Sequence, residues 1–331
     1  MTLPKVAIII LNWNGWKDTI ECLESLYQVT YPAYCVIVVD NGSEDESVEK
    51  IKEYCKGKSI FCLEYTKQEV ETLNIKIKKA FYHKNLILIK NDKNYGFAEG
   101  NNIGIRFALK ALDPDYILLL NNDTVVDKYF LDELVKIAEK DKRIGIVAPK
   151  QFSYYNPEDV ELRAHEINLI KLIKETLFIQ REKEREKNRE IDREIDWVQA
   201  SCLLIRKEVI RKVGLLDPKY FISWEDLDLC ITVRKAGYKI IHSSKSKFWH
   251  KVSKSVKKSP IVHYYKARNA FLFYKKHSDF HPLIPFIIFI ILISQCLDAI
   301  RAGNKSLIFF LRGLIDGLKL IIGKGRGVDE S

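Results

Sequence analysis

The chain has 331 residues, 47% apolar and 30% charged, with a formal net charge of +10, enough to bury one large core or two modest ones. The charge sits at one end: residues 245–331 carry 16 Lys and Arg against 5 Asp and Glu, a net of +11, leaving −1 for residues 1–244. No basic patch runs through the body of the chain to track a phosphate backbone, which excludes nucleic-acid binding, and positive charge beside apolar helices fits an anionic membrane surface.

Val6–Leu11 is an apolar run ending in Asn12-Trp13-Asn14-Gly15. It is too short for the core of a signal peptide and reads as a buried strand. Ile20, Leu23, Leu26 and Tyr27 mark the inner face of a following helix, and Cys35–Val39 is the second strand, ended by Asp40-Asn41-Gly42-Ser43. Ser43 with Glu46 predicts a capping box opening a helix over about 44–55. Residues 56–84, rich in Lys and Glu, read as a decorated loop.

Leu86–Ile89 and Tyr116–Leu120 are two more strands, separated by a helix near 98–112; a helix over about 127–140 leads to a strand at Ile144–Ala148. This alternation predicts a βαβ-type sheet. Residues 181–196 carry 6 positive and 7 negative side chains, which reads as a solvated helix or an excursion. Beyond them come a strand near Val198–Ile205, helices over 207–213, 225–236 and 260–277, and a strand at Tyr238–His242. The seven cysteines show neither a C-x-x-C pair nor metal-ligand spacing, and read as free thiols in a reducing compartment.

The most apolar segment, Leu283–Leu297, spans 15 residues and includes Pro285, Ser294 and Gln295, short of the roughly 20 that a spanning helix needs. Leu307–Ile322 places Arg312, Asp316 and Lys319 in one polar stripe. The pair predicts a hairpin lying in the membrane interface; a buried helical pair against the body of the chain, or a homodimer interface, is the alternative.

Several strand ends carry chemistry. Leu120-Asn121-Asn122-Asp123-Thr124 delivers a carboxylate and two carboxamides to the carboxyl end of a strand, where open α/β sheets bind ligands; this suits a divalent cation on a diphosphate, while a plain turn is the alternative. Asn12-Trp13-Asn14 and Asp40-Asn41 offer carboxamides, an indole and a carboxylate to a nucleotide. Asn94 to Asn102 concentrates asparagine and glycine about a helix start, which permits close backbone approach to a ligand. No G-x-G-x-x-G follows the first strand, which argues against a dinucleotide-dependent oxidoreductase. Asp226, after Trp224-Glu225 at a helix start, could serve as a general base or simply as a cap. His250, after Trp249, could ligate a metal.

Taken in order, Asn12 to Gly15, Val38 to Ser43, Asn94 to Asn102, Leu120 to Thr124, Trp197-Val198-Gln199-Ala200, Trp224 to Cys230, Trp249-His250 and Arg268-Asn269 resemble the family 2 glycosyltransferases, most of all their rhamnosyltransferase-like branch. The resemblance covers about residues 5–277, taken as one catalytic domain (1–277) with insertions at 56–84 and 165–196 and with 278–331 as membrane-associating helices. It implies a GT-A fold, an α/β Rossmann-like and mostly parallel sheet flanked by helices. It also implies inverting, metal-dependent transfer of a sugar from a nucleoside diphosphate sugar to an acceptor hydroxyl; the basic, apolar C-terminus would hold such an enzyme at the cytoplasmic side of the cell membrane, where a glycan or polyprenyl-diphosphate-linked acceptor in polysaccharide assembly could receive it.

Carried over by position, Asp40 contacts the base or ribose, with Asn12, Asn14 and Asn41 beside it. Asn94, Gly96, Gly100 and Asn101 line the nucleotide and sugar. Asp123 is the surviving carboxylate of the D-x-D element, with Asn122 next to it, and His250 is a further ligand of Mg²⁺ or Mn²⁺. Asp226 is the catalytic base, Gln199, Trp224 and Glu225 lie near the acceptor or sugar, and Arg268 contacts the diphosphate. Asn121 stands where many relatives have Asp. A sugar-nucleotide pyrophosphorylase would want a Gly-rich, Arg-containing loop after the first strand, and a degenerate, non-catalytic scaffold would have no need of both Asp123 and Asp226.

Overall fold

A computed structural model describes residues 3–72, 85–157, 191–251, 259–279 and 284–322, together with the backbone of a short strand at 164–165. The sequence readings that fall on 73–84 and 166–190 lie outside the described residues.

Ten strands form one sheet. The strands are β1 (Val6–Asn12), β2 (Tyr34–Asp40), β3 (Phe61–Thr66), β4 (Asn85–Lys90), β5 (Tyr116–Asn121), β6 (Thr124–Val126), β7 (Ile144–Ser153), β9 (Arg193–Ile195), β11 (Cys202–Arg206) and β12 (Lys239–His250). Their order is β3-β4-β2-β1-β5-β11-β7-β12-β6, with β9 on β12, while β8 (Ala164–His165) and β10 (Trp197–Val198) make a separate pair. The first five strands run parallel. β11 then enters antiparallel between β5 and β7. β12 returns parallel to β7, so the sheet is mostly parallel as expected, with antiparallel pairings where β11, β6 and β9 join it; reading only the apolar runs gave no direction for β11.

The helices are α1 (Trp16–Leu26), α2 (Ser47–Gly57), α3 (Lys67–Thr72), α4 (Gly96–Phe107), α5 (Phe130–Ala138), α6 (Lys207–Val213), α7 (Glu225–Lys235), α8 (Ile261–His277), α9 (Ile284–Arg301) and α10 (Asn304–Ile322). The continuous apolar strands are explained by cover on both faces. Ile9, Ile37, Ile87 and Leu119 point to the α4 side, and Ile8, Val38, Leu88 and Leu118 to the side of α1 and α5. Each such fully buried side chain contributes roughly 1.5–3 kcal/mol of transfer free energy.

Three local expectations are corrected. Residues 61–72 are not loop: they form β3 and α3, and the capping box lies here, with Thr66 N–H donating to Glu69 Oε2 at 2.6 Å and Glu69 N–H to Thr66 Oγ1 at 3.2 Å. Ser43 caps no helix. Its hydroxyl donates to Asp40 at 2.6 Å instead, because α2 begins only at Ser47. The strand expected at Tyr238–His242 continues to His250, and 193–195, read as part of a solvated excursion, pairs with it.

β1 has β2 on one side and β5 on the other. Strand order reverses there, so a crevice opens at the carboxyl ends of these three strands.

The C-terminal helices are built into this body. α10 crosses α8 at Gly313 and Gly317, where a Cβ would collide with the Tyr264 carbonyl oxygen and the Phe271 ring. Ile284 and Ile288 of α9 pack with Tyr220, Trp224 and Phe273. α9 is 18 residues, longer than the expected apolar stretch, and is long and apolar enough to cross a membrane by length and composition. All seven cysteines are free thiols.

Candidate active site

The ends of β1 and β2 are tied into one polar net. Asn12 Nδ2 donates to Asp40 Oδ1 at 2.8 Å, and Thr19 Oγ1 donates to Asn12 Oδ1 at 2.8 Å. Asn14 receives the Glu44 amide at 2.8 Å on its side-chain oxygen and gives its own backbone N–H to Ser43 Oγ at 2.9 Å. Asn12 and Asp40 are buried, whereas Trp13 is 52% exposed.

The segment from Asn94 onward departs from expectation. Asn41 Nδ2 donates to Asn94 Oδ1 at 2.9 Å and to the Gly96 carbonyl at 3.1 Å, and Asn91 Nδ2 donates to Asn41 Oδ1 at 3.0 Å. The amides that open α4 already have acceptors: Tyr95 N–H goes to Asn41 Oδ1, Gly96 N–H to Asn94 Oδ1, and Phe97 N–H to the Phe221 carbonyl at 2.6 Å. This helix start is therefore no open anion cradle. Gly100 and Asn101 lie inside α4, not in a loop. A Cβ at Gly100 would stand 2.6 Å from Leu11, so that glycine sets helix-to-strand distance, and Asn101 donates back to the Phe97 carbonyl at 2.9 Å.

β6 brings the acidic corner together. It pairs antiparallel with the end of β12, Thr124 opposite His250, so that His250 Nε2 lies 3.0 Å from Asp123 Oδ1. His250 Nδ1 faces the Gln151 amide at 3.3 Å, and Ser201 Oγ donates to Gln151 Oε1 at 3.0 Å. Lys251 N–H donates to the Asp123 carbonyl at 3.0 Å, and Lys251 Nζ reaches Asp18 at 2.6 Å and Glu21 at 2.5 Å on α1. Burial would favour the neutral amine, but these carboxylates outweigh it and raise the Lys251 pKa. Asn122 faces the other way, donating to Thr19 Oγ1 at 3.1 Å.

Asp226 is on the first turn of α7. Burial pushes its pKa up to about 6, against the pull of the Leu227 and Ala200 amides and the Trp197 side chain, which favour the carboxylate. Leu227 N–H donates to its Oδ1 at 2.7 Å. Glu225 next to it is buried, and burial with the nearby Asp226 charge lifts its pKa to about 8; its Oε2 has no partner among the described residues. Gln199 is half-buried in the turn between β10 and β11. A run of contacts thus joins the two carboxylate sites: Asp226 to the Ala200 amide, then Ser201, Gln151, His250 and Asp123.

The model of the family described as Glycosyl transferase family 2 matches residues 7–214, which is most of the strands just described. The chain belongs to that family.

Its curated relatives include the low-salt glycan biosynthesis hexosyltransferase Agl10 of Haloferax volcanii, 23% identical over 240 residues, covering 72% of this chain and 64% of that protein. They also include the dTDP-rhamnosyl transferase RfbF of Shigella flexneri, 26% identical over 255 residues, covering 72% and 80%. Among solved structures, the mannosyltransferase PcManGT of Pyrobaculum calidifontis, in complex with GDP-Man and Mn²⁺, superposes with a TM-score of 0.57 at 15% identity, covering 98% of this chain and 80% of that one. That likeness is one of fold, the GT-A arrangement.

In this glycosyltransferase, Asp123 and His250 are the side chains suited to a divalent cation. No group of three or more His, Cys, Asp or Glu placed to hold a metal ion exists among the described residues. A carboxylate and an imidazole fit a cation that takes its remaining ligands from diphosphate oxygens and water. Gln151 fits as well: with its amide turned over, Oε1 would accept Nδ1–H and free Nε2 for the metal, the usual outer-shell arrangement.

Arg268 has its hydrogen-bond partners elsewhere. It is buried on α8, donating to the Lys219 carbonyl and, at 2.6 Å, to Asn269 Oδ1. Gln151 and Lys251 escaped the sequence reading, and Asn269 was named in the Arg268-Asn269 motif without a role. Gln151 follows Pro149-Lys150 beyond the apolar run of β7, and Lys251 directly follows His250, so a longer strand assignment would have drawn attention to both.

Proposed function

We propose that this glycosyltransferase moves a sugar, with inversion, from a nucleoside diphosphate sugar to a hydroxyl of a polyprenyl-diphosphate-linked glycan. What supports the reading is the run of contacts from Asp226 through Ala200, Ser201 and Gln151 to His250 and Asp123, which ties a base and a cation-ligand pair to one wall of the crevice.

Asp40, Asn12 and Trp13 receive the nucleoside. Asp123 and His250 hold Mg²⁺ or Mn²⁺, which when bound offsets the charge growing on the leaving diphosphate. Asp226 accepts the proton of the acceptor hydroxyl as that oxygen bonds to the anomeric carbon, and the bond from that carbon to the diphosphate oxygen breaks. A carboxylate with a pKa near 6 is ionised at neutral pH yet more basic than an ordinary aspartate. Rhamnose is the sugar that the relatives' names favour.

The acceptor class rests on the C-terminal helices. Phe286, Phe289, Ile293, Ile308 and Ile315 of α9 and α10 are exposed large apolar side chains, with basic residues in the same region. Ile284, Ile288 and Ala299 of α9 are committed to the body of the enzyme, so the helix lies on a cytoplasmic leaflet rather than crossing it.

The experiment is transfer from a panel of nucleoside diphosphate sugars with Mn²⁺ and with chelator, the anomeric configuration read by proton NMR. A β-configured product from an α-configured donor, or the reverse, supports the reading. Donor binding without transfer to any lipid-linked acceptor, or retained configuration, overturns it.

A further inference from the structure

Residues 217–228 run from the Asp217-Pro218 turn to the catalytic wall; the start of α4 holds the Phe221 carbonyl, Ile284 and Ile288 of α9 pack on Tyr220 and Trp224, and α8 meets the segment at several points along its length. The segment's backbone is unusual: Phe221, Ser223 and Trp224 have φ of 59, 69 and 78°. Side chains with a Cβ rarely adopt such values unless their surroundings impose them. Phe221 makes a γ-type turn, with Ile222 N–H donating to the Tyr220 carbonyl at 2.6 Å.

One side chain meets this turn three times. Asn269, fully buried, donates from Nδ2 to the carbonyls of Tyr220 at 2.8 Å, Ile222 at 3.0 Å and Ser223 at 2.8 Å. Its Oδ1 is fixed by Arg268, from Nε at 2.9 Å and Nη2 at 2.6 Å. The guanidinium also donates to the Lys219 carbonyl and lies 4.9 Å from the Tyr265 ring, which itself stacks on Phe221 at 4.9 Å. Trp224 Nε1 donates to the Lys266 carbonyl at 3.0 Å, and Asp228 takes bonds from Lys276 at 2.8 Å and His277 at 2.7 Å. α8 thus grips the chain on both sides of Glu225 and Asp226.

We propose that Arg268 and Asn269 are positioning residues for Asp226: they hold the Phe221–Trp224 turn in its strained form and thereby fix the first turn of α7 against Ala200 and Trp197. The proposal rests on Asp226 being the base. It gives Arg268 a task other than the diphosphate contact implied by family resemblance. The guanidinium is buried and turned to backbone carbonyls, and Asn269, with no donor to spare for a ligand, completes the clamp.

The test uses full-length Asn269→Ala, Arg268→Lys and the double variant Asn269→Ala with Ser223→Gly, glycine being free to adopt positive φ. Two readouts are taken: steady-state transfer with donor dissociation constants, and amide hydrogen exchange, which needs no activity. Asn269→Ala is expected to lower kcat roughly tenfold to a hundredfold, the scale of a misplaced catalytic group, with donor affinity within about twofold. Its acid limb in kcat/KM should move down toward ordinary aspartate as water reaches Asp226. Exchange should rise over 219–227 and not in β1 or β2, and Ser223→Gly should restore part of kcat.

Unchanged exchange over 219–227 in Asn269→Ala, or unchanged kcat, overturns the clamp. Weakened donor binding with saturated kcat intact in Arg268→Lys overturns it in favour of a diphosphate ligand. If Asn269→Ala fails to fold, Arg268→Lys and the glycine double variant decide by the same readouts. A wild-type enzyme inert toward every donor, with exchange changed as expected, would sink the base assignment and leave the clamp standing.

Discussion

His250 Nε2 and Asp123 Oδ1 lie 3.0 Å apart although 127 positions separate them in the chain. The register of β6 against β12 sets this approach, and Gln151 sets the imidazole's rotation. Replacing Gln151 with Leu should therefore weaken Mn²⁺-dependent donor binding roughly 10- to 100-fold, the usual effect of losing an outer-shell partner. A Mn²⁺ titration of thermal stability in the presence of nucleoside diphosphate measures it. Wild-type Mn²⁺ affinity in the variant would refute the role.

Asp226→Asn should lower kcat by about 10²- to 10⁴-fold, the span of general-base catalysis. Donor affinity, measured by calorimetry, should stay within about twofold, because the carboxamide keeps the shape and still accepts the Leu227 amide.

Activity should fall on the acid side. Asp226 must be ionised to take a proton, so kcat/KM is expected to drop as pH falls through about 6. A pH profile with an acid limb near 4 would contradict the buried setting of this carboxylate.

Stability should show the opposite trend from Glu225. Burial raises its folded pKa to about 8 from the ordinary 4.5, so the native state binds the proton more tightly than the unfolded chain. The stabilisation is complete below about 4.5 and is lost as pH rises through about 8. Glu225→Gln should flatten that decline and raise the melting temperature at pH 8.5 by several degrees, with little change at pH 5. Parallel melting curves at the two pH values would refute it.

The apolar face of α9 and α10 should bind vesicles. Phe289→Glu combined with Ile315→Glu is expected to cut co-sedimentation with anionic vesicles at least tenfold, since each loses buried apolar area and adds a repelled charge. Both side chains are exposed, at 60% and 54%, so melting temperature should hardly move. Unchanged co-sedimentation would point to another surface.

Much of this was legible in the sequence, and the pattern of misses has a physical cause. Strands buried on both faces announce themselves as unbroken apolar runs, so β1, β2, β4 and β5 and the polar residues at their ends could be read directly. β3, by contrast, runs Phe61-Cys62-Leu63-Glu64-Tyr65-Thr66 with its side chains partly exposed, and an edge strand with charges looks like a loop. The asparagines were harder still. Asn12, Asn41, Asn94 and Asn101 were visible as a cluster, but a carboxamide that faces a ligand and one that satisfies a backbone amide are the same letter. Here Asn41 and Asn94 supply acceptors to α4, and only the fold shows which amides they meet. Asn269 gave no signal at all beyond its place after Arg268, because its three acceptors come from a turn 46 to 49 positions earlier.

Gly313 and Gly317 let α10 lie close enough to α8 for Tyr264 to reach Asp316 at 3.1 Å and Lys275 to reach the Leu320 carbonyl at 2.9 Å. The same α8 carries Asn269 on its other side. A shortened protein ending after His277, made to escape the lipid, would thus shed the brace behind Asp226, and its inactivity would report a broken scaffold rather than a missing bilayer.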